Sequence, residues 1–273
     1  WWGGMLARWA GIPKRVGYDL PAVRPFLTKP APYSPGGHEV QQNMDLVSAF
    51  LGQHLGEPGP LEFHPQPESF RSAEALLREA KDNQDVLCIH PGAGAPVKLW
   101  RPEAFAQVAD ELAHKYRLRV VITGSPEERP LADTIARHMS SPPLVLAGQT
   151  SLDELAVVLS RSRLVIGVDS GPLHLAVSQG TPTIHLFGPT DPRLFGPWGD
   201  SRKHVVVATT MDCAPCNRLD YSPRELADHP CVRSISTSAV LEVAETLLAT
   251  DSHRSQGHGI MAHENEPGSN HVT

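Results

Sequence analysis

Between residues 85 and 208, short apolar runs alternate with amphipathic stretches of helix length, and this alternation restricts the fold more than any other feature. Residues 86–89, 119–122, 144–146, 164–168, 183–187 and 204–208 predict strands. Helical periodicity occupies residues 102–116, 127–139 and 152–160 and resumes at Pro172. Strands that are apolar throughout are covered on both faces, and strands joined by helices of ten or more residues run parallel. The expectation is an α/β fold with a parallel sheet and helices on both faces. Such open sheets bind ligands beyond the carboxyl ends of their strands.

The preceding part has a different texture. Residues 1–10 predict the end of a helix, stopped by Gly11 and Pro13, and residues 14–18 a short strand. Residues 19–37 are proline-rich and aperiodic, which predicts a long loop. Residues 38–55 predict a helix with one wet face. Residues 56–67 are a second proline-rich stretch around a short strand at 61–63, and residues 69–80 are a helix with Ser69 as the cap and Ser72 as the weaker alternative. This is too few strands for a sheet. Residues 1–82 are therefore expected to be the C-terminal part of an N-terminal domain whose beginning is absent, with residues 83–249 as the second domain. From residue 250 the chain is polar and aperiodic, which predicts a disordered tail whose histidines (His253, His258, His263, His271) lack metal-site spacing.

Composition narrows the classes. The chain has 273 residues and a net charge of -6, which argues against a general nucleic-acid binder. No apolar run nears the roughly 20 residues that span a bilayer, and no signal-peptide pattern is present. Four cysteines make no disulfide framework in a chain of this length, so a reducing cytoplasm is expected. Cys213-Ala214-Pro215-Cys216 with Cys231 hints at zinc, with Asp212 or His229 as fourth ligand, or at redox chemistry. A second paired ligand set is missing, so a structural loop is the preferred reading and no metal is expected.

Residues suited to phosphate recognition collect at the predicted strand ends. In LVIGVDSGPLHLA (residues 164–176) a buried strand gives way to Asp169-Ser170-Gly171 and a helix entered through Pro172. Such a helix start offers free N–H groups and partial positive charge. Asp169 and Ser170 either meet an anionic ligand there or only cap the helix. His90-Pro91-Gly92-Ala93-Gly94 follows the first strand, and its glycines let backbone N–H groups approach a ligand. Lys98, four residues on, is placed to neutralise a phosphate leaving group. Glu127 and Glu128 of TGSPEE fall in the first predicted helical turn, where the dipole favours acids and where a carboxylate also suits a ribose diol. Gln149-Thr150-Ser151 caps the next helix, and Thr190-Asp191 closes a further strand. His174 either faces the crevice or is an ordinary helix histidine.

HPGAGAPVKLW, ITGSPEE, LAGQTSLDELA, VIGVDSGPLHLA and LFGPTDP, in this order and spacing, resemble glycosyltransferase family 9, the ADP-heptose:lipopolysaccharide heptosyltransferases and their relatives. The resemblance covers about residues 10–249, including CAPC and the segment at 231–235. It implies a GT-B architecture, with two Rossmann-like domains facing a cleft and the donor held by the C-terminal one. By resemblance, Lys98 stabilises the donor diphosphate and is the catalytic candidate. Asp169, Ser170, Gly171 and His174 line the sugar and phosphate pocket, Glu128 meets the ribose, and Thr150 lies near the adenine. Gly92, Ala93, Gly94 and Thr190 complete the substrate-binding set. At Ala93 and Gly94 relatives often carry hydroxyl residues, so backbone N–H contacts are expected there. The implied reaction is an inverting transfer of a heptose from ADP-heptose to a lipopolysaccharide core, needing no metal or other cofactor, in the cytoplasm with contact at the inner face of the plasma membrane. The family's catalytic Asp belongs to an early loop with no counterpart in this chain; Asp19, Glu39 and Asp45 are only generic carboxylates. The alternatives are a nucleotide-sugar-binding module without turnover and a GT-B nucleotide-sugar epimerase.

Overall fold

The computed structural model describes residues 1–78 and 84–251. The tail expected from residue 250 thus lies outside the described residues from 252 onward, as does the expected end of the helix at 79–80.

The first elements in chain order are α1 (Trp2–Trp9), β1 (Val16–Tyr18), β2 (Lys29–Ala31), α2 (Glu39–Leu51) and α3 (Pro67–Arg78). Residues 19–37 are not one loop. A 3-10 turn at Arg24–Phe26 lies within the connection, which crosses back so that β2 pairs parallel to β1 with Val16 opposite Lys29. Three residues are too few to show a period, and Pro30 is tolerated because each strand of a pair keeps a free edge. No strand forms at 61–63. The Phe63 carbonyl instead accepts from Gln179 Nε2 at 2.8 Å. Ser69 does not cap α3, which already begins at Pro67, and Ser69 is buried within its first turn.

The second part comprises β3 (Val86–His90), α4 (Pro102–Tyr116), β4 (Arg119–Ile122), α5 (Arg129–His138), β5 (Leu144–Val145), α6 (Leu152–Ser160), β6 (Ser162–Val168), α7 (Gly171–Ser178), β7 (Thr183–Phe187), α8 (Pro192–Phe195), β8 (His204–Ala208), α9 (Pro223–Asp228) and α10 (Thr237–Asp251). Its strands form one parallel sheet in the order β5-β4-β3-β6-β7-β8. This is the doubly wound α/β order, and its topological switch point lies between β3 and β6. One face is covered by α4, α5 and α10, whose Phe105, Leu112, Ile135 and Val240 join Ile89, Ile122 and Ile166 in the main core. The other face is covered by α6, α7 and also α3, whose Ala73 packs with Val121, Leu146 and Val157. All residues of β3 and β7 are buried, which accounts for their mostly apolar character; the polar exceptions, His90, Thr183 and His185, have side-chain hydrogen-bond partners.

One helix start departs from expectation, and two short helices form in stretches where no helical period is legible. The α5 helix starts at Arg129, not at residue 127, because Glu128 Oε2 accepts the Ser125 N–H at 2.7 Å and holds Ser125-Pro126 in a turn. Residues 189–202 contain the short α8, capped by Asp191 accepting from the Arg193 N–H. Residues 213–231 contain α9, started by a Ser222/Glu225 capping box. Elsewhere the turn chemistry holds: Ser151 and Glu154 form a capping box at α6, and Pro172 lies in the first turn of α7.

Gly167 in β6 is required by close approach. A Cβ there would lie 2.4 Å from the His90 carbonyl oxygen and 2.5 Å from Leu173 Cδ2. Backbone on the neighbouring strand cannot give way as a flexible side chain would. Gly167→Ala is expected to destabilise the fold by about 3 kcal/mol, the upper end for overpacking. Urea unfolding checks it, and an unchanged midpoint would contradict the crowding.

Candidate functional site

Because β3 and β6 are neighbours, with His90 opposite Gly167, the loops leaving their carboxyl ends face each other. The loop after β3 ends in a 3-10 turn at Pro96–Lys98. Two residues later Trp100 anchors it. The Trp100 ring is buried edge-on against Phe105 at 4.9 Å, and Nε1 donates to the Ile235 carbonyl at 3.0 Å. This fixes where Lys98 emerges. Lys98 Nζ lies 2.6 Å from Asp169 Oδ2 and donates to the Asp169 carbonyl at 3.3 Å. Thr190 Oγ1 donates to the same Asp169 Oδ2 at 2.6 Å. Asp169 is therefore no helix cap. It is a buried carboxylate shared by an ammonium and a hydroxyl. Ser170 occupies the N-cap position of α7, yet its hydroxyl caps nothing and is buried without a partner among the described residues.

A hollow of about 610 Å³ opens over this pair, lined by the Gly92–Gly94 loop, Lys98, Glu128, Thr150 and the Asp169–Pro172 turn. Glu128 is pressed onto the glycine loop so closely that a Cβ on Gly92 would lie 1.8 Å from Glu128 Oε1. The glycine is thus what lets a carboxylate reach the floor of the hollow. A second hollow of about 420 Å³ shares the Lys98–Asp169 wall. It is also lined by His38, Glu39 and Leu61, with Phe195 and Leu219 adding apolar surface. The first hollow combines an ammonium, an orphaned hydroxyl, loop amides and a helix start, which together suit a diphosphate. The second is mixed polar and apolar, which suits a polyol with a carbon face.

The model of glycosyltransferase family 9 (heptosyltransferase) matches residues 3–223. The chain belongs to that family. It is similar to lipopolysaccharide heptosyltransferase 3 of Escherichia coli strain K12, at 39% identity over 226 residues, or 79% of this chain and 61% of the relative. Among solved structures it resembles the family 9 glycosyl transferase of Veillonella parvula DSM 2008, with TM-score 0.73 and 26% identity over 90% of this chain and 70% of that one. It shares its fold with E. coli ADP-heptose lps heptosyltransferase II, with TM-score 0.70 and 20% identity over 91% of this chain and 74% of that one. The expected α/β, GT-B class therefore holds. The chain spans about half to three fifths of the length of the curated relatives it matches.

Within this family 9 chain, Gly92, Ala93, Gly94, Lys98, Glu128, Thr150, Asp169, Ser170 and Gly171 converge on the larger hollow. His174 and Thr190 line the smaller one instead, together with Lys98, Asp169, Ser170 and Gly171. Glu128 reaches its place from the N-cap of α5, not from within the helix. The Thr190 hydroxyl is committed to Asp169. His174 lies with its ring 5.7 Å from that of His185. His38, Glu39, Leu61, Phe195 and Leu219 were not legible as site residues. They come from separate segments and carry no motif. Among the described residues Cys88, Cys213, Cys216 and Cys231 are free thiols.

Four buried or half-buried histidines lie in or beside the sheet: His90 and His174 toward the site, His185 within β7 and His204 at the start of β8. Burial pushes the His90 imidazole down to about 4, against an opposing pull from the Glu128 carboxylate, and Nδ1 lies 3.1 Å from Thr123 Oγ1. Burial likewise lowers His174, His185 and His204. An unfolded chain takes up these protons first, near pH 6.5. Stability is therefore complete above that pH and falls as the pH drops toward 4. His90 alone accounts for about 3 kcal/mol across that window. Urea unfolding between pH 7.5 and 4.5 is expected to show the fall, and His90→Asn a shallower one. A flat profile would contradict the assignment.

Proposed function

We propose that this chain carries the donor side of a glycosyl transfer in which a heptose moves from ADP-heptose to a lipopolysaccharide core or similar glycan, with inversion at the anomeric carbon. The observation that carries this is the Lys98 ammonium and the start of α7 opening on one hollow at the switch point of the sheet. An acceptor hydroxyl attacks the anomeric carbon as the ADP oxygen leaves, and a carboxylate takes the hydroxyl proton. Lys98, the Ser170 hydroxyl and the free N–H groups of α7 meet the charge that grows on the diphosphate. Glu128 accepts from the ribose diol, Thr150 borders the adenine, and the loop amides at Ala93 and Gly94 approach the phosphates. Asp169, oriented by Thr190, and His174 face the sugar. No residue of this chain is assigned as the base.

In this reading residues 1–82 lie on the acceptor side and residues 83–249 form the donor domain, although α3 packs on the second sheet. The cytoplasm supplies the nucleotide sugar, and the lipid-borne acceptor is reached by peripheral contact at the membrane's inner face. Among the described residues no helix is long and apolar enough to cross a membrane. Calorimetry with ADP and ADP-heptose, beside product analysis with a lipopolysaccharide acceptor, tests the proposal. Donor binding with heptose transfer supports it. Donor binding without transfer limits the chain to a binding module, and conversion of donor alone makes it an epimerase. Asp169→Ala is expected to leave ADP affinity within a factor of about three while removing the preference for ADP-heptose over ADP. If both ligands bind the variant as they bind the unaltered chain, Asp169 does not face the sugar.

A further inference from the structure

The smaller hollow is lined by Lys98 and Asp169 and also by His38 and Glu39 from the first part of the chain, and the transfer reading gives the latter two no role. His38 makes two hydrogen bonds of opposite sense. Its Nδ1 accepts from the Val40 N–H at 3.2 Å and so caps α2. Its Nε2 lies 3.0 Å from the carbonyl oxygen of Gly196. A carbonyl only accepts, so Nε2 carries the hydrogen, and an imidazole whose Nδ1 accepts is neutral. One ring thus serves as both a helix cap and a bond across the cleft. The ring packs 4.8 Å from that of Trp198, whose Nε1 donates to the Gly59 carbonyl at 2.9 Å. These contacts tie the start of α2 and the segment after it to the turn that follows α8. Glu39, half-buried, is the first residue of the helix so pinned. The helix dipole by itself favours an acid at that position, but it does not account for Glu39 lining the same hollow as Lys98 and Asp169.

We propose that His38 is a positioning residue: by reaching from the start of α2 to Gly196 it sets the width of the smaller hollow and holds the Glu39 carboxylate where it accepts hydrogen bonds from hydroxyls of the donor sugar. This rests on the donor reading above. A carboxylate with two acceptor oxygens suits a polyol rich in donors, and it lies apart from the diphosphate cradle. Glu39 and His38 therefore act on the sugar and not on ADP.

The ratio of ADP-heptose to ADP affinity, measured by calorimetry on the full chain, isolates the sugar's contribution. His38→Asn keeps an oxygen able to cap α2 but is too short to span to Gly196. It is expected to retain ADP affinity within about twofold while the ratio falls about tenfold. Glu39→Gln is expected to lower the ratio similarly, and the double variant no further than either single one, because the two act as one unit. An unchanged ratio in His38→Asn overturns the inference, as does a ratio near one in the unaltered chain. If His38→Asn melts early, Glu39→Gln decides: loss of the ratio sustains the inference and its retention overturns it. Failure of the unaltered chain to bind ADP overturns the donor reading and this inference with it, whereas normal ADP binding with unmoved ratios removes only the role of His38 and Glu39.

Discussion

Lys98→Ala is expected to weaken ADP binding by roughly 1.5–3 kcal/mol, about 10- to 150-fold, the range for a hydrogen bond to a charged group. The side chain is only 15% exposed and its Asp169 partner 8%, so water cannot replace the lost ammonium well. The same change strands the Asp169 carboxylate with one hydroxyl donor, Thr190, in a buried site. Removing one member of such a pair costs stability as well, up to about 3 kcal/mol. The two losses separate in the double variant Lys98→Ala/Asp169→Asn. Neutralising the stranded carboxylate restores stability, measured by urea unfolding, but does not restore ADP binding, measured by calorimetry. Unchanged ADP affinity in Lys98→Ala would remove the lysine from the diphosphate cradle.

Trp100→Ala is expected to destabilise the fold by about 3–5 kcal/mol, the cost of truncating a large buried aromatic. The ring is 2% exposed, meets Phe105 edge-on and donates to the Ile235 carbonyl, joining the loop after β3 to the turn before α10. Its loss opens a cavity beneath the Pro96–Lys98 turn, so ADP affinity should fall too, though by less than in Lys98→Ala. Trp100→Phe keeps most of the packing and loses the N–H, and is expected to cost about 1 kcal/mol from that bond. Equal stability of the alanine and unaltered chains in guanidinium would show that this anchor carries no load.

The larger hollow was legible because its residues sit at strand ends, where a buried apolar run meets Gly, Ser or Asp and then a helix. Lys98, Asp169, Ser170 and Gly171 could be named from such local patterns. What they do with one another could not. Asp169 and Ser170 read equally well as caps, and only the geometry gives Asp169 to Lys98 and leaves the Ser170 hydroxyl free. Thr190 was legible as a site residue but not as the orienting donor to Asp169. The errors share one cause. The β2 strand, the α8 helix and the start of α5 are short or set by side-chain bonds such as Glu128 to Ser125, and neither leaves a period in the chain.

The order of amino acids by itself determined the α/β class, the strands and helices of the second part, and the glycine, lysine and acidic positions along one sheet edge, because periodicity and turn chemistry act over a few residues. Tertiary structure alone decided that β3 lies beside β6, bringing Lys98 to Asp169 across 71 positions, and that His38 reaches Gly196 across 158. Strand order and cross-cleft contacts follow from which faces can be buried together, and that is a property of the packed chain, not of any stretch within it.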